Sequence, residues 1–115
     1  MFKITVARDV EEFRKYMDYD TMGMMMGCYE EDKITGGICF DIENEAGYIR
    51  KMRADDESMK QVIAKAALNF MELHGIYDVY VKDDEFYKTV GFTDAGNGML
   101  YINLDGYFTK NEGDD

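Results

Sequence analysis

The chain is poor in metal ligands, with one histidine, His74, and two cysteines, Cys28 and Cys39. The cysteines fall in separate strand-like segments without metal-ligand spacing, so neither a metal site nor a disulfide framework is expected, and both read as buried thiols. Basic residues are also scarce: 13 Lys and Arg stand against 24 Asp and Glu, for a formal net charge of -11 and a pI near 4.4. A polyanion needs a basic surface, so nucleic acid is excluded as a partner. A small amine or a basic partner suits the charge, although solubility alone also accounts for it. No apolar run approaches the ~18 residues of a membrane span, and the N-terminus alternates like a strand instead of resembling a signal peptide. No membrane association and a cytoplasmic address are therefore expected. Nothing in the pattern specifies an oligomer.

What is present is ordinary for a folded domain: 46% hydrophobic, 14% aromatic and 32% charged residues over 115 positions, enough for a single core. We expect one domain over residues 1–108 and a tail over 109–115 too polar to pack. Phe2, Ile4 and Val6 alternate with Lys3, Thr5 and Ala7, predicting a strand. Asp9 and Glu12 have capping-box spacing ahead of a helix whose inner face is Val10, Phe13 and Met17. The Met-rich stretch from Thr21 to Gly27 is expected to run as a linker into a buried strand, though it could also form a lid. Strands follow over Met24–Glu30, Lys33–Glu43 and 48–54, the second with Gly36-Gly37 where a bulge or close backbone approach is expected. Asn44-Glu45-Ala46-Gly47 is read as the turn between the last two.

The clearest helix covers 56–74, with Met59, Val62, Ile63, Ala66, Ala67, Phe70, Met71 and His74 on one stripe. Gly75 ends it, and His74 suits its C-terminus as a cap. A strand over 76–81 follows so directly that it should lie parallel to the 48–54 strand, with the helix packed across the pair as a right-handed crossover. A short helix over 84–90 and a hairpin of 91–95 with 99–104 about Gly96-Asn97-Gly98 complete the order. The predicted architecture is α+β: a mixed sheet with an antiparallel meander, one long crossover helix and a C-terminal hairpin.

Between the parallel strand and that hairpin lies Phe86-Tyr87-Lys88-Thr89-Val90-Gly91-Phe92. Together with the element order, this run resembles GNAT-type acyl-CoA-dependent N-acetyltransferases over nearly the whole chain. The resemblance implies acetyl-CoA as cofactor and transfer of its acetyl group to an unknown amine. It implies that Met52, Arg53 and Ala54 lie along the pantetheine arm and that Tyr87 is the general acid for the departing thiolate. A core aromatic before a turn would carry the same tyrosine. Phe-Tyr-x-x-x-Gly-Phe also occurs in vicinal-oxygen-chelate enzymes, but these need His and Glu ligands from paired modules, which the single histidine and single long helix do not supply.

The chain departs from the family pattern where the diphosphate-binding loop belongs. No glycine occurs between Gly47 and Gly75, and the positions that should be glycine fall near Ser58 and Lys60, whose Cβ atoms restrict backbone approach. Asp55, Asp56 and Glu57 would occupy the positive end of the helix and repel phosphate, with Arg53 and Lys60 offsetting part of this. The family's second helix is missing, and only residues 18–26 remain to line an acceptor site. Asp41 and Glu43 are the nearest candidates for a base. Strand alternation puts Lys51 and Arg53 on the face of Ile49 and Arg50 on the other. The departures admit an alternative function, a non-catalytic GNAT-like domain used for protein association or regulation.

Overall fold

The computed structural model describes residues 1–20 and 23–108. Thr21 and Met22 of the Met-rich stretch, and the tail over 109–115, lie outside the described residues. Strand β1 (Phe2–Val6) pairs antiparallel with β2 (Met24–Glu30), β2 with β3 (Lys33–Glu43), and β3 with β4 (Ala46–Ala54). Asn44 and Glu45 both have positive φ, 51° and 65°, as a two-residue primed turn requires. The turn is therefore shorter than its sequence suggests, and Ala46 and Gly47 belong to β4.

Helix α2 (Lys60–Leu73) connects β4 to β5 (Asp78–Lys82), which lies parallel to β4 as the crossover predicts. Helix α3 (Glu85–Val90) leads to β6 (Thr93–Gly96) and β7 (Met99–Asn103), joined by a tight Asn97-Gly98 turn with φ of 56° and 75°. β7 lies next to β5, giving the mixed order β1-β2-β3-β4-β5-β7-β6. The α+β class and the neighbouring parallel strands both match the sequence reading.

Helix α1 (Val10–Met17) is capped by Asp9, whose carboxylate accepts the Glu11 and Glu12 amides at 3.0 and 3.2 Å. Phe13 and Met17 are buried, whereas Val10 turns outward. α1 covers one face of the sheet and α2 the other. The adjacent glycines Gly36 and Gly37 admit one helix each: a Cβ at Gly36 would stand 2.6 Å from Ile63 Cδ1, and one at Gly37 2.7 Å from Phe13 Cε1. The expected close approach thus occurs on both faces at once.

The buried stripe of α2 is Ile63, Ala64, Ala67, Leu68 and Met71. Val62 and His74 of the expected stripe are exposed. The contact face is therefore rotated toward the 64/68 row, and the helix lies over β3 and β4 more than over β5. His74 stacks on Phe70 at 4.2 Å, and its Nδ1–H donates to the Phe70 carbonyl at 2.8 Å, which fits the capping role expected for it. Both cysteines are free and buried, and burial pushes the Cys39 thiol up to about 11. Among the described residues no helix is long and apolar enough to cross a membrane, and no group of His, Cys, Asp and Glu could hold a metal ion.

Candidate functional site

Of the sheet's three register shifts among the described residues, one lies at Asp94–Gly96 of β6 and two shape the meander. Thr35 is the extra residue of β3 opposite Cys28 and Tyr29, and Arg50 is the extra residue of β4 opposite Cys39 and Phe40. The Arg50 bulge inverts the alternation of β4. Ile49 faces the α2 core, and after the bulge Met52 and Ala54 do so too. Lys51 and Arg53 are turned to the α1 side, over the rings of Tyr19 and Tyr16 at 5.5 and 4.8 Å. The expectation that they share the face of Ile49 is corrected by this one added residue.

The bulge also marks where β4 and β5 part. Pairing runs from Ala46 opposite Asp78 to Ile49 opposite Val81 and stops there, although β4 continues to Ala54. A cavity of about 260 Å³ opens at the divergence, lined by Ile49, Arg50, Met52, Lys60, Phe86 and Tyr87 among others. Beyond Ile49 the β5-facing backbone groups of β4 have no partner strand, so they border the gap as unused donors and acceptors.

Tyr87 is delivered to this cavity by α3. Asp84 caps the helix, accepting the Phe86 amide at 3.0 Å, and Gly91 ends it at φ 125°. The Phe92 amide then returns to the Tyr87 carbonyl at 3.1 Å. The rings of Phe86 and Phe92 meet Tyr87 edge to face at 5.1 and 5.5 Å, so the two phenylalanines of the motif clamp the tyrosine between them. Burial, then the nearby Asp84 charge, raises the Tyr87 pKa well above that of a free phenol. Among the described residues its hydroxyl has no hydrogen-bond partner, yet no polar side-chain atom is sealed away unpartnered. The hydroxyl oxygen must therefore reach solvent, and the cavity that Tyr87 lines is where it can do so. Because Asp84 holds the helix start, Asp84→Ala should destabilise the protein by ~1 kcal/mol in urea unfolding, whereas an unchanged midpoint would mean the cap contributes nothing.

The other residues expected at the site are distributed unevenly. Met52 and Lys60 line the cavity with Tyr87. Arg53 does not, because its guanidinium donates to the Tyr16 carbonyl and stacks on that ring. Ala54 ends β4 against the core, and Ser58 is on the loop that follows. Asp41 and Glu43 are paired with Arg50 at 2.7 and 3.9 Å, which makes them partners of a cation before they are bases. Arg50, Phe86 and Asp83 were missed as lining residues. Phe86 is inside the quoted motif and was the one within reach of sequence reasoning, whereas Arg50 arrives through a bulge that leaves no mark in the sequence.

The loop after β4 is closed on itself. It forms a 3-10 turn, Glu57–Met59, begun by Asp56, whose Oδ1 accepts the Ser58 amide at 3.0 Å and the Ser58 hydroxyl at 2.8 Å. These two bonds, the hydroxyl first, hold the Asp56 carboxyl below the usual carboxylate range. The Met59 amide donates to the Asp56 carbonyl and the Lys60 amide to the Glu57 carbonyl, while the Asp55 amide donates to Thr35. Asp55 accepts the Tyr16 hydroxyl at 2.9 Å, and Lys60 pairs with Glu57 at 3.2 Å.

No protein-family model matches the chain, and no curated protein matches it in sequence. Solved structures do match. The ribosomal-protein-S18-alanine N-acetyltransferase of Escherichia coli superposes with a TM-score of 0.70 at 8% identity, over 91% of this chain and 95% of that one. An N-acetyltransferase from Staphylococcus aureus Mu50 gives 0.69 at 13% identity, over 90% and 98% of the two chains. A GNAT family acetyltransferase from Brucella melitensis, solved in complex with acetyl-CoA, gives 0.68 at 11% identity, over 91% and 89%. At such identities the likeness is one of backbone architecture, and the parallel β4–β5 pair that parts beside a long crossover helix is that of the GNAT fold.

Proposed function

We propose that the protein is an N-acyltransferase that takes an acyl group from a pantetheine-type thioester, as acetyl-CoA carries, and passes it to a small amine. The observation that carries this reading is the Tyr87 hydroxyl, neutral and unpartnered, at the cavity where β4 and β5 part. A thioester bound in that gap supplies an activated acyl carbon. The amine attacks in its neutral form, and the C–N bond forms as the C–S bond breaks. The proton that nitrogen loses passes to water, from which Tyr87 is reprotonated. Tyr87 holds the proton that the departing sulfur needs, and burial keeps it there throughout the physiological range. Met52 borders the arm, and the free backbone edge from Arg50 to Ala54 offers it strand-like hydrogen bonds. Lys60 stands at the end nearest the loop, and the ring clamp of Phe86 and Phe92 fixes the angle of the phenol. The surplus of acids favours a cationic amine as acceptor.

The fit to coenzyme A is uneven. The gap suits the arm, but the loop that should seat the diphosphate has spent its Ser58, Met59 and Lys60 amides internally and carries three acids. That observation favours a second reading, a non-catalytic domain of the same fold used for protein association or regulation. Thiol release separates the two. Acetyl-CoA or S-acetylpantetheine incubated with a panel of primary amines should release thiol faster than the uncatalysed background. Background rates with both donors would remove the enzyme and leave the non-catalytic domain.

A further inference from the structure

The loop between β4 and α2 bears on which thioester the site accepts, an inference that rests on the acyl-transfer reading. A helix start binds phosphate when its first amides point outward without partners. Here the amides of Ser58, Met59 and Lys60 are consumed inside the turn: the first by the Asp56 carboxylate, the second by the Asp56 carbonyl, the third by the Glu57 carbonyl. The Asp55 amide is taken as well, by Thr35 across the sheet. Asp56 is thus an internal anion seated on the turn, and it brings with it the charge that a diphosphate would bring.

The two cations nearest the turn are committed too. Lys60 is paired with Glu57, and Arg53 is held over Tyr16 by its ring and carbonyl. Seating a diphosphate would require breaking the Asp56–Ser58 pair of bonds and placing like charges beside Asp55, Asp56 and Glu57. The gap itself makes no such demand. Its lining joins the β4 edge to Met52, Phe86 and Tyr87, with Lys82, Asp83 and Asp84 supplying charge of both signs along β5 and the start of α3. The free edge and apolar side chains suit a chain of amides and methylenes.

We propose that the acyl donor is recognised through its pantetheine arm alone, as a pantetheine thioester without the nucleotide, and that the Asp56-capped turn discriminates against coenzyme A. Selection acts through the charge at the far end of the arm. The order of affinity should be S-acetylpantetheine, then S-acetyl-4′-phosphopantetheine, then acetyl-CoA, the reverse of the order that a phosphate cradle produces.

Calorimetric titration of the full chain with these three thioesters tests the proposal. At low ionic strength S-acetylpantetheine should bind about tenfold or more tightly than acetyl-CoA, the ratio expected from about one unscreened like-charge contact. Raising the ionic strength from about 0.01 M to about 0.15 M shortens the Debye length from about 30 to about 8 Å and should narrow the difference by tightening acetyl-CoA. Asp56→Ala, which frees the Ser58 amide and removes a charge, should narrow it further. Glu57→Gln leaves the Asp56 cap in place, so it tests the charge argument even if Asp56→Ala proves unstable. Acetyl-CoA binding as tightly as S-acetylpantetheine would overturn the inference and leave the acyltransferase intact. Binding of none of the three would overturn the acyltransferase as well.

Discussion

Tyr87→Phe should slow acyl transfer by about 10²-fold or more, the usual cost of losing a positioned general acid, with thioester affinity unchanged. The two readouts separate chemistry from packing. Phenylalanine keeps the edge-to-face contacts with Phe86 and Phe92, so a protein that folds and binds as before but turns over slowly has lost only the proton. Unchanged turnover would remove Tyr87 from the mechanism. The pH profile gives a second test. With its pKa raised in the folded state, Tyr87 stays protonated beyond the ordinary tyrosine value of about 10, so activity should hold to about that pH and fall only above it. The linked stability has the same sign. It is present in full below the unfolded pKa and lost as pH rises through the folded one.

Phe40→Ala should cost about 3–5 kcal/mol, a large part of the ~5–15 kcal/mol that holds a domain of this size. Phe40 has 0% exposure. It meets Phe70 of α2 edge to face at 5.9 Å and stands opposite Ile49, at the point where the β3–β4 register slips. No neighbour can collapse into the space without moving the helix or the bulge. The urea midpoint should therefore fall steeply. Ile42→Ala, on the same strand but 44% exposed, should shift it by less than about 0.5 kcal/mol. Equal effects from the two would mean that the core is not centred on the β3–β4 junction.

Much of this architecture is legible in the residues, for identifiable reasons. The alternation of β1, the long apolar stripe of α2 and the immediate return into β5 each follow one period, and together they require a parallel β4–β5 pair. Tyr87 could be singled out because its motif is a contiguous run. The errors lie where one residue, not a period, decides. Nothing in Tyr48-Ile49-Arg50-Lys51 marks the bulge, because both Arg50 and Lys51 are content in solvent. The rotation of α2 escaped because Ala64 and Leu68 form a second row beside Ile63 and Ala67, and packing against Gly36 chose between them. The self-closure of the loop was half visible: its acids and missing glycines can be counted, but the seat of Asp56 on the Ser58 amide depends on backbone angles.

The extra residue at Arg50 lets β4 change length by one without changing any assigned face. Deleting Arg50 would set Ile49 directly before Lys51 and restore unbroken alternation, with Ile49, Met52 and Ala54 still on the α2 core and Lys51 and Arg53 still on the α1 side. A second deletion there would swing Lys51 and Arg53 onto the core and turn Met52 and Ala54 outward. Homologous chains that keep this sheet are therefore expected to dispense with this one residue of β4, and to take other single-residue changes at hairpin tips such as Asn44-Glu45 and Asn97-Gly98, where no side chain has an assigned face.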